Sequence, residues 1–181
     1  MKMIMMSLLW ILGLFVIYIN GNAQGNKASR KEARRAELTT GYNIIDSLLN
    51  ARSFVLAADQ LQNRIGDLME VSPAINFIKV VGSTGILQTG SNSRIGSNDV
   101  GGTTAEGSVG NWKIFTEPRE LTHRLTFSIL SQIGNYDVSL YVTADNRATA
   151  TIKGLGPGEL TWIGHLETIN NSGVFKGRDT F

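Results

Sequence analysis

Residues 136–166 read YDVSLYVTADNRATATIKGLGPGELTWIGHL. The hydrophobic period of this stretch is two. Tyr136, Val138, Leu140, Val142 and Ala144 share one face, while Asp137, Ser139, Tyr141 and Thr143 share the other. Asp145-Asn146 follows, a pair that tolerates left-handed backbone and so marks a turn. Ala148, Ala150 and Ile152 then alternate with Thr149, Thr151 and Lys153. A second turn, GLGPGE, leads into Leu160, Trp162, Gly164 and Leu166 on one face. Three successive strands with one dry and one wet side are the antiparallel signature, because strands of a parallel sheet are covered on both faces.

The same alternation extends outward. Leu125, Phe127 and Ile129 alternate with Thr126 and Ser128, and Phe54, Leu56 and Ala58 alternate with Val55 and Ala57. Residues 68–71, 75–81 and 85–89 are short apolar runs bounded by Gly, Pro or Asn. The spacing predicts about eight or nine short strands over residues 53–167, with turns every 8–12 residues. Strands do not alternate with helices, which argues against a parallel α/β sheet. A sheet this long must hide its edges. The expected fold is mainly β: an antiparallel β-barrel or a two-sheet sandwich.

Residues 24–52 are expected to form a basic, amphipathic N-terminal helix. Leu38, Tyr42, Ile45 and Leu49 recur at helical spacing, and Ile44 and Leu48 widen the stripe. Gly41 interrupts it at a cost of about 1 kcal/mol relative to Ala. The stripe should plug a barrel mouth or cover an open sheet face. The turns before Glu37 lack large apolar residues, so Arg30, Arg34 and Arg35 should face solvent. Residues 168–181 have no period and are expected to form a loosely ordered tail.

The first 23 residues read MKMIMMSLLWILGLFVIYINGNA. Lys2, the apolar run after it, and the small residues Gly21 and Ala23 have the layout of a cleaved signal peptide. The processed chain would begin at Gln24, in the periplasm or outside the cell. A retained anchor is the alternative, because basic residues follow from Lys27. The 181-residue chain has no cysteine, which removes disulfides, thiolate zinc sites, cysteine nucleophiles and a lipidated thiol together.

The sequence pI near 9.0 reflects a local feature. Residues 24–37 carry five basic and two acidic side chains, whereas residues from Leu38 onward carry 11 basic and 13 acidic. The body is therefore not a nucleic-acid binder by charge. Membrane contact is expected only through the signal peptide or weakly through the basic N-terminus.

Few motifs carry chemistry. The glycine-rich residues 90–110 contain no lysine and precede no helix, so they are neither a Walker loop nor a dinucleotide loop. They read as a long connection between strands. Asn92, Asn98, Asp99 and Glu106 offer oxygens, but their spacing is not that of an EF-hand. His123 and His165 lack a sequential carboxylate cluster, and there is no G-x-S-x-G elbow. No catalytic residue, metal ligand or cofactor is expected. Trp112, Phe127, Tyr136 and Trp162 should face one interior, as a filled core or as the lining of a ligand cavity. Residues 91–103, with Gly96, Asn98, Asp99, Gly101 and Gly102, would be a mobile lid at one end of the sheet.

The order of segments carries a family resemblance. It comprises a basic, alanine-containing helix, the strand SFVLAAD, NFIKVVG with Asn76-Phe77, GSNDVGGTTAEG, YDVSLYVTADNRATATI and a closing WIGHL. From about Ala33 to Leu166 the chain resembles domain of unknown function 4251, a family of exported Bacteroidetes envelope proteins. It departs from that pattern in the few charges of GSTGILQTG and in lacking the lipidated cysteine of some relatives. The resemblance implies an exported β-rich domain with a leading helix and brings no activity with it. The expected function is therefore a non-enzymatic binding module for an apolar small molecule or another envelope component. The alternatives are a structural envelope protein or a hydrolase using carboxylates such as Asp59, Glu70, Asp99 and Glu106.

Overall fold

The computed structural model describes residues 27–91, 102–154 and 159–180. Helix α1 covers residues 27–50. Nine strands follow: β1 (Ser53–Gln62), β2 (Leu68–Glu70), β3 (Phe77–Val81), β4 (Thr84–Gln88), β5 (Thr104–Glu117), β6 (Thr122–Ser131), β7 (Gly134–Thr143), β8 (Ala148–Lys153) and β9 (Glu159–Glu167). Every pairing is antiparallel, in the order β2-β1-β3-β4-β5-β6-β7-β8-β9. β9 also pairs with β1. Eight strands therefore close into an up-and-down barrel, with β2 as an extra strand on β1. Of the two expected architectures the barrel is the one formed, and closure removes the edges a sandwich would keep.

Alternation places the core inside. Phe54, Leu56, Ile78, Val80, Leu87, Leu125, Ile129, Leu140, Ile152 and Trp162 are buried in one cluster. Asn146 at φ 64 makes the left-handed turn expected between β7 and β8. Its amide donates to the Leu166 carbonyl at 3.0 Å and its oxygen accepts from the Leu166 N–H at 3.0 Å. The turn is thus tied to β9 as a strand would be.

β1 and β9 close the barrel through an irregular seam. Ala58 faces Gly164, but the next pair is Gln60 with Ile163, so Asp59 is the extra residue of a bulge. The shift exchanges the faces of β1. Leu61, not Gln60, comes opposite buried Trp162 and packs against the core. Gly164 permits the approach, since a Cβ there would lie 1.9 Å from the Ala57 carbonyl oxygen.

Residues 27–39 of α1, including Arg30, Arg34 and Arg35, are exposed apart from Leu38. The compact body begins at Thr40. Within it Ile45 and Leu49 are buried in the barrel cluster, and Leu48 packs against it. Ile44 does not join the stripe and is 54% exposed. Tyr42 stacks on His123 at 4.3 Å, and Asp46 lies 3.2 Å from the same ring. α1 thus closes the end of the barrel where β6 begins and β7 ends. Gly41 has a positive role in this closure: a Cβ would lie 2.2 Å from the Ala144 carbonyl oxygen.

Two sequence expectations need correction. Residues 104–110 are not part of a connection but the first half of β5, paired with β4 and β6. Their glycines lie where backbones approach closely. Among its described residues, 168–180, the tail has no helix or strand, as its lack of period implies, yet it is hydrogen-bonded to the barrel. Buried Gln88 donates to the carbonyls of Ile75 (3.2 Å) and Phe175 (2.8 Å). Its oxygen accepts from the Thr104 hydroxyl (3.0 Å) and the Gly177 N–H (2.7 Å). A glutamine amide has two donors and two acceptor sites, so this one is fully used. Phe175 N–H also donates to the Ala74 carbonyl at 2.7 Å, and Thr180 N–H to the Thr104 carbonyl at 3.0 Å.

Gly41→Ala offers a test by sign. In an open helix it would stabilise by about 1 kcal/mol. Here the added methyl meets the Ala144 backbone, so chemical denaturation should show destabilisation. Ile45→Ala should cost about 2–5 kcal/mol as a buried truncation. A stabilising Gly41→Ala would contradict the docking of α1.

Candidate functional site

The end of the barrel opposite α1 holds an open hollow of ≈ 420 Å³. Its border includes Leu61 at the end of β1, Met69 in β2, Val71, and Asn76 and Thr89 beside β3 and β4. The bulge at Asp59 turns Leu61 inward to reach it. The β1–β2 turn stands beside it and is internally braced. The Asn63 oxygen accepts from the N–H groups of Ile65 (3.1 Å) and Asp67 (2.9 Å), and the Asn63 amide donates to the Asp67 carboxylate at 2.9 Å. Gly66 takes φ 98. That bracing holds three apolar side chains in solvent: Ile65 is 79%, Leu68 50% and Met69 66% exposed. Fully buried Asn76 supports the floor, exchanging 3.0 Å hydrogen bonds with both the N–H and the carbonyl of Gly90.

The aromatic residues expected to line a cavity sit elsewhere. Phe127, Tyr136 and Trp162 are buried in the barrel cluster. Trp112 is half-buried, with its ring 5.2 Å from that of Phe127 and 6.3 Å from that of Phe54, and the Arg52 guanidinium lies 5.0 Å from its centroid. None of the four borders the hollow at the open end. The indole N–H of Trp162 is buried without a hydrogen-bond partner among the described residues. Of the expected lid, Gly96, Asn98, Asp99 and Gly101 lie outside the described residues. Gly102 is half-buried, and a Cβ on it would lie 2.3 Å from the Thr89 carbonyl oxygen.

The carboxylates proposed for hydrolysis fall into separate clusters. Glu106 pairs with Lys176 of the tail. Glu70 is exposed on β2 at the border of the hollow, away from the other carboxylates, and Asp99 lies outside the described residues. Asp59 is brought by its bulge to His165 on the outer wall. His165 is flanked on both sides: Nδ1 lies 3.2 Å from Asp59 and Nε2 lies 3.0 Å from Glu167. Sequence spacing concealed this cluster, because Asp59 and His165 meet only across the closing seam. Among the described residues no group of three His, Cys, Asp or Glu side chains is arranged to hold a metal ion. Nor is any helix among them long and apolar enough to cross a membrane.

The two histidines are tuned in opposite directions. Burial pushes the His123 pKa down, against the hydrogen bond and charge of Asp46. At His165 burial also pushes down, but the hydrogen bonds and charges of Glu167 and Asp59 together outweigh it and raise the pKa. The ordinary value is about 6.5. His123 therefore contributes stability above that value, lost as pH falls through its lowered folded pKa. His165 contributes below that value, lost as pH rises through its raised folded pKa. In an NMR titration His165 should titrate at the higher pH, and His165→Asn should remove the alkaline-side loss of stability. The reverse order of titration would contradict the pairing.

Similarity to known proteins agrees with this architecture. A family model described as a domain of unknown function, DUF4251, matches residues 36–165. The crystal structure of a DUF4251 family protein from Bacteroides eggerthii DSM 20697 is similar, with 31% sequence identity and a TM-score of 0.63. The similarity covers 74% of this chain and 91% of that one. No curated protein matches the chain. With the family model spanning most of the chain and the relative sharing its fold, the chain belongs to the DUF4251 family.

Proposed function

We propose that this domain is an exported, non-enzymatic binding module that takes an apolar small molecule at the barrel end opposite α1. The observation that carries the reading is the hollow bordered by Leu61, Met69 and Val71. Its ≈ 420 Å³ falls within the range of about 300–1,000 Å³ occupied by small-molecule pockets. The border joins these apolar side chains to the polar groups of Ser72, Asn76, Thr89 and Ser91 and to one carboxylate, Glu70, and an apolar surface with a few polar or charged groups is the usual composition of such a site.

The braced turn adds a driving force. Covering a large aliphatic side chain removes it from water at a gain of about 1.5–3 kcal/mol. Of the three exposed side chains Met69 borders the hollow, and the braced turn beside β2 has already ordered it before a ligand arrives. The non-enzymatic reading is supported by the dispersal of the titratable groups. The hydrogen-bonding partners of His123 and His165 are carboxylates, and among the described residues neither ring is hydrogen-bonded to a serine, threonine or tyrosine hydroxyl that it could activate. Export is supported by the layout of residues 1–23.

The test is titration with the fluorescent apolar probe N-phenyl-1-naphthylamine, alongside mass spectrometry of whatever co-purifies from the native envelope. The wild-type protein should bind the probe. Met69→Glu, which alters a mostly exposed side chain and so spares the core, should weaken binding about tenfold or more. Failure of the wild type to bind, or equal affinity in Met69→Glu, would overturn the site.

A further inference from the structure

The outer wall of the barrel carries a second hollow, an open groove of ≈ 550 Å³ across β5 to β9, which shares no lining residue with the apolar mouth. We propose that this groove binds a neutral oligosaccharide. The proposal goes beyond the apolar-ligand reading and concerns different residues.

The outside of a barrel is ordinarily convex, so a groove there needs a cause. Two are visible. Thr126, Ser139 and Thr151 lie directly opposite one another on β6, β7 and β8, so the floor is a row of short hydroxyl side chains. Phe127 and Val138 also border it. On one side β5 is bulged between Gly110 and Lys113, with Asn111 at φ 54. A bulge bends its strand and re-aims the side chains on it. Asn111 folds over to donate to the Ser128 hydroxyl at 3.0 Å. On the other side Lys153 and Glu159, 3.7 Å apart, form the opposite wall.

Charge selects among ligands. The lining carries Lys113 and Lys153 against Asp137 and Glu159, so it is balanced and does not favour a polyanion. Lys153 is already opposed by Glu159. The side chains of Lys113, Thr126, Asp137, Ser139 and Thr151 make no hydrogen bond to another described residue. That leaves a donor-only group, an acceptor-only group and three hydroxyls that can do either. A sugar hydroxyl donates and accepts at once, and this mixed set matches it. Tyr141, two residues beyond Ser139 on the same face and 39% exposed, lies outside the lining of the groove and presents an aromatic surface further along β7.

A peptide is the poorer fit. Peptides bind sheets by pairing with a free strand edge. Here β6, β7 and β8 are paired on both sides. The span from β5 to β9 covers four strand spacings, about 19 Å, which suits a short oligomer better than a single sugar.

The experiment is an amide chemical-shift titration of the full protein with chitotetraose, cellotetraose and maltotetraose, with dextran sulfate as the charged control. At least one neutral sugar should shift Thr126, Ser139 and Thr151 while leaving Leu61 and Met69 unmoved. Ser139→Arg, which fills the groove, should weaken that sugar about tenfold or more. Asp137→Asn, a gentler change, should weaken it severalfold. Both variants should bind N-phenyl-1-naphthylamine as the wild type does, which separates this site from the mouth. No shift with any neutral sugar at millimolar concentration would overturn the proposal. So would shifts with dextran sulfate alone, or unchanged sugar affinity in Asp137→Asn.

Discussion

The pairing of β1 with β9 is the constraint on which the structure depends. Without it the remaining strands form an open sheet whose apolar face, from Phe54 to Trp162, is uncovered along one side. Closure requires the two strands to approach closely, and Gly164 allows this opposite Ala57 and Ala58. It also requires β1 to change faces partway along its length. The bulge at Asp59 does so with a single residue. One local irregularity thus has two consequences: Leu61 turns inward beside Trp162, and Asp59 turns outward to His165.

The two ends of the barrel are then treated differently. At one end α1 inserts Ile45 and Leu49, and Tyr42 and Asp46 cover His123. This contact is short-range and polar at its rim, so it is sensitive to a single methyl at Gly41. At the other end no helix covers the apolar border of Leu61 and Met69 among the described residues. The tail is spent on a third place, the outer faces of β4 and β5, where Gln88 satisfies all four of its hydrogen-bonding positions. A chain without cysteine thereby fixes its last residues by buried amide hydrogen bonds.

Much of this was legible in the sequence because the signal is periodic. Strands β6 to β9 repeat inward and outward residues every second position, and the Asp145-Asn146 turn follows from backbone preference alone. The apolar stripe of α1 was equally plain, although Ile44 falls outside it. Closure was not legible, since alternation is the same in a barrel and a sandwich. The first half of β5 was obscured because Gly107 and Gly110 read as loop residues, whereas a Cβ at Gly107 would meet the Leu130 backbone at 2.0 Å. The site residues were obscured for a related reason. In LAADQLQ the inward positions step from Ala58 to Leu61, three residues rather than two, and that break is the one sequence trace of the bulge. Trp112, Phe127, Tyr136 and Trp162 read from the sequence as either a filled core or a cavity lining, because residue type does not distinguish the two.

The mouth and the outer groove assign different chemistries to one scaffold, apolar at the open end and hydroxyl-rich on the wall. Both depend on where side chains point, and for the mouth this comes down to the register of the closing seam. The most direct measurement is therefore a set of cross-strand nuclear Overhauser effects between β1 and β9. Leu56 should connect with Leu166 before the bulge and Leu61 with Trp162 after it. Contacts from Gln60 to Trp162 would mean an unbulged register with Leu61 facing outward, and absence of any β1–β9 contact would mean an open sheet. Either result would contradict the structure and remove the hollow proposed to bind ligand.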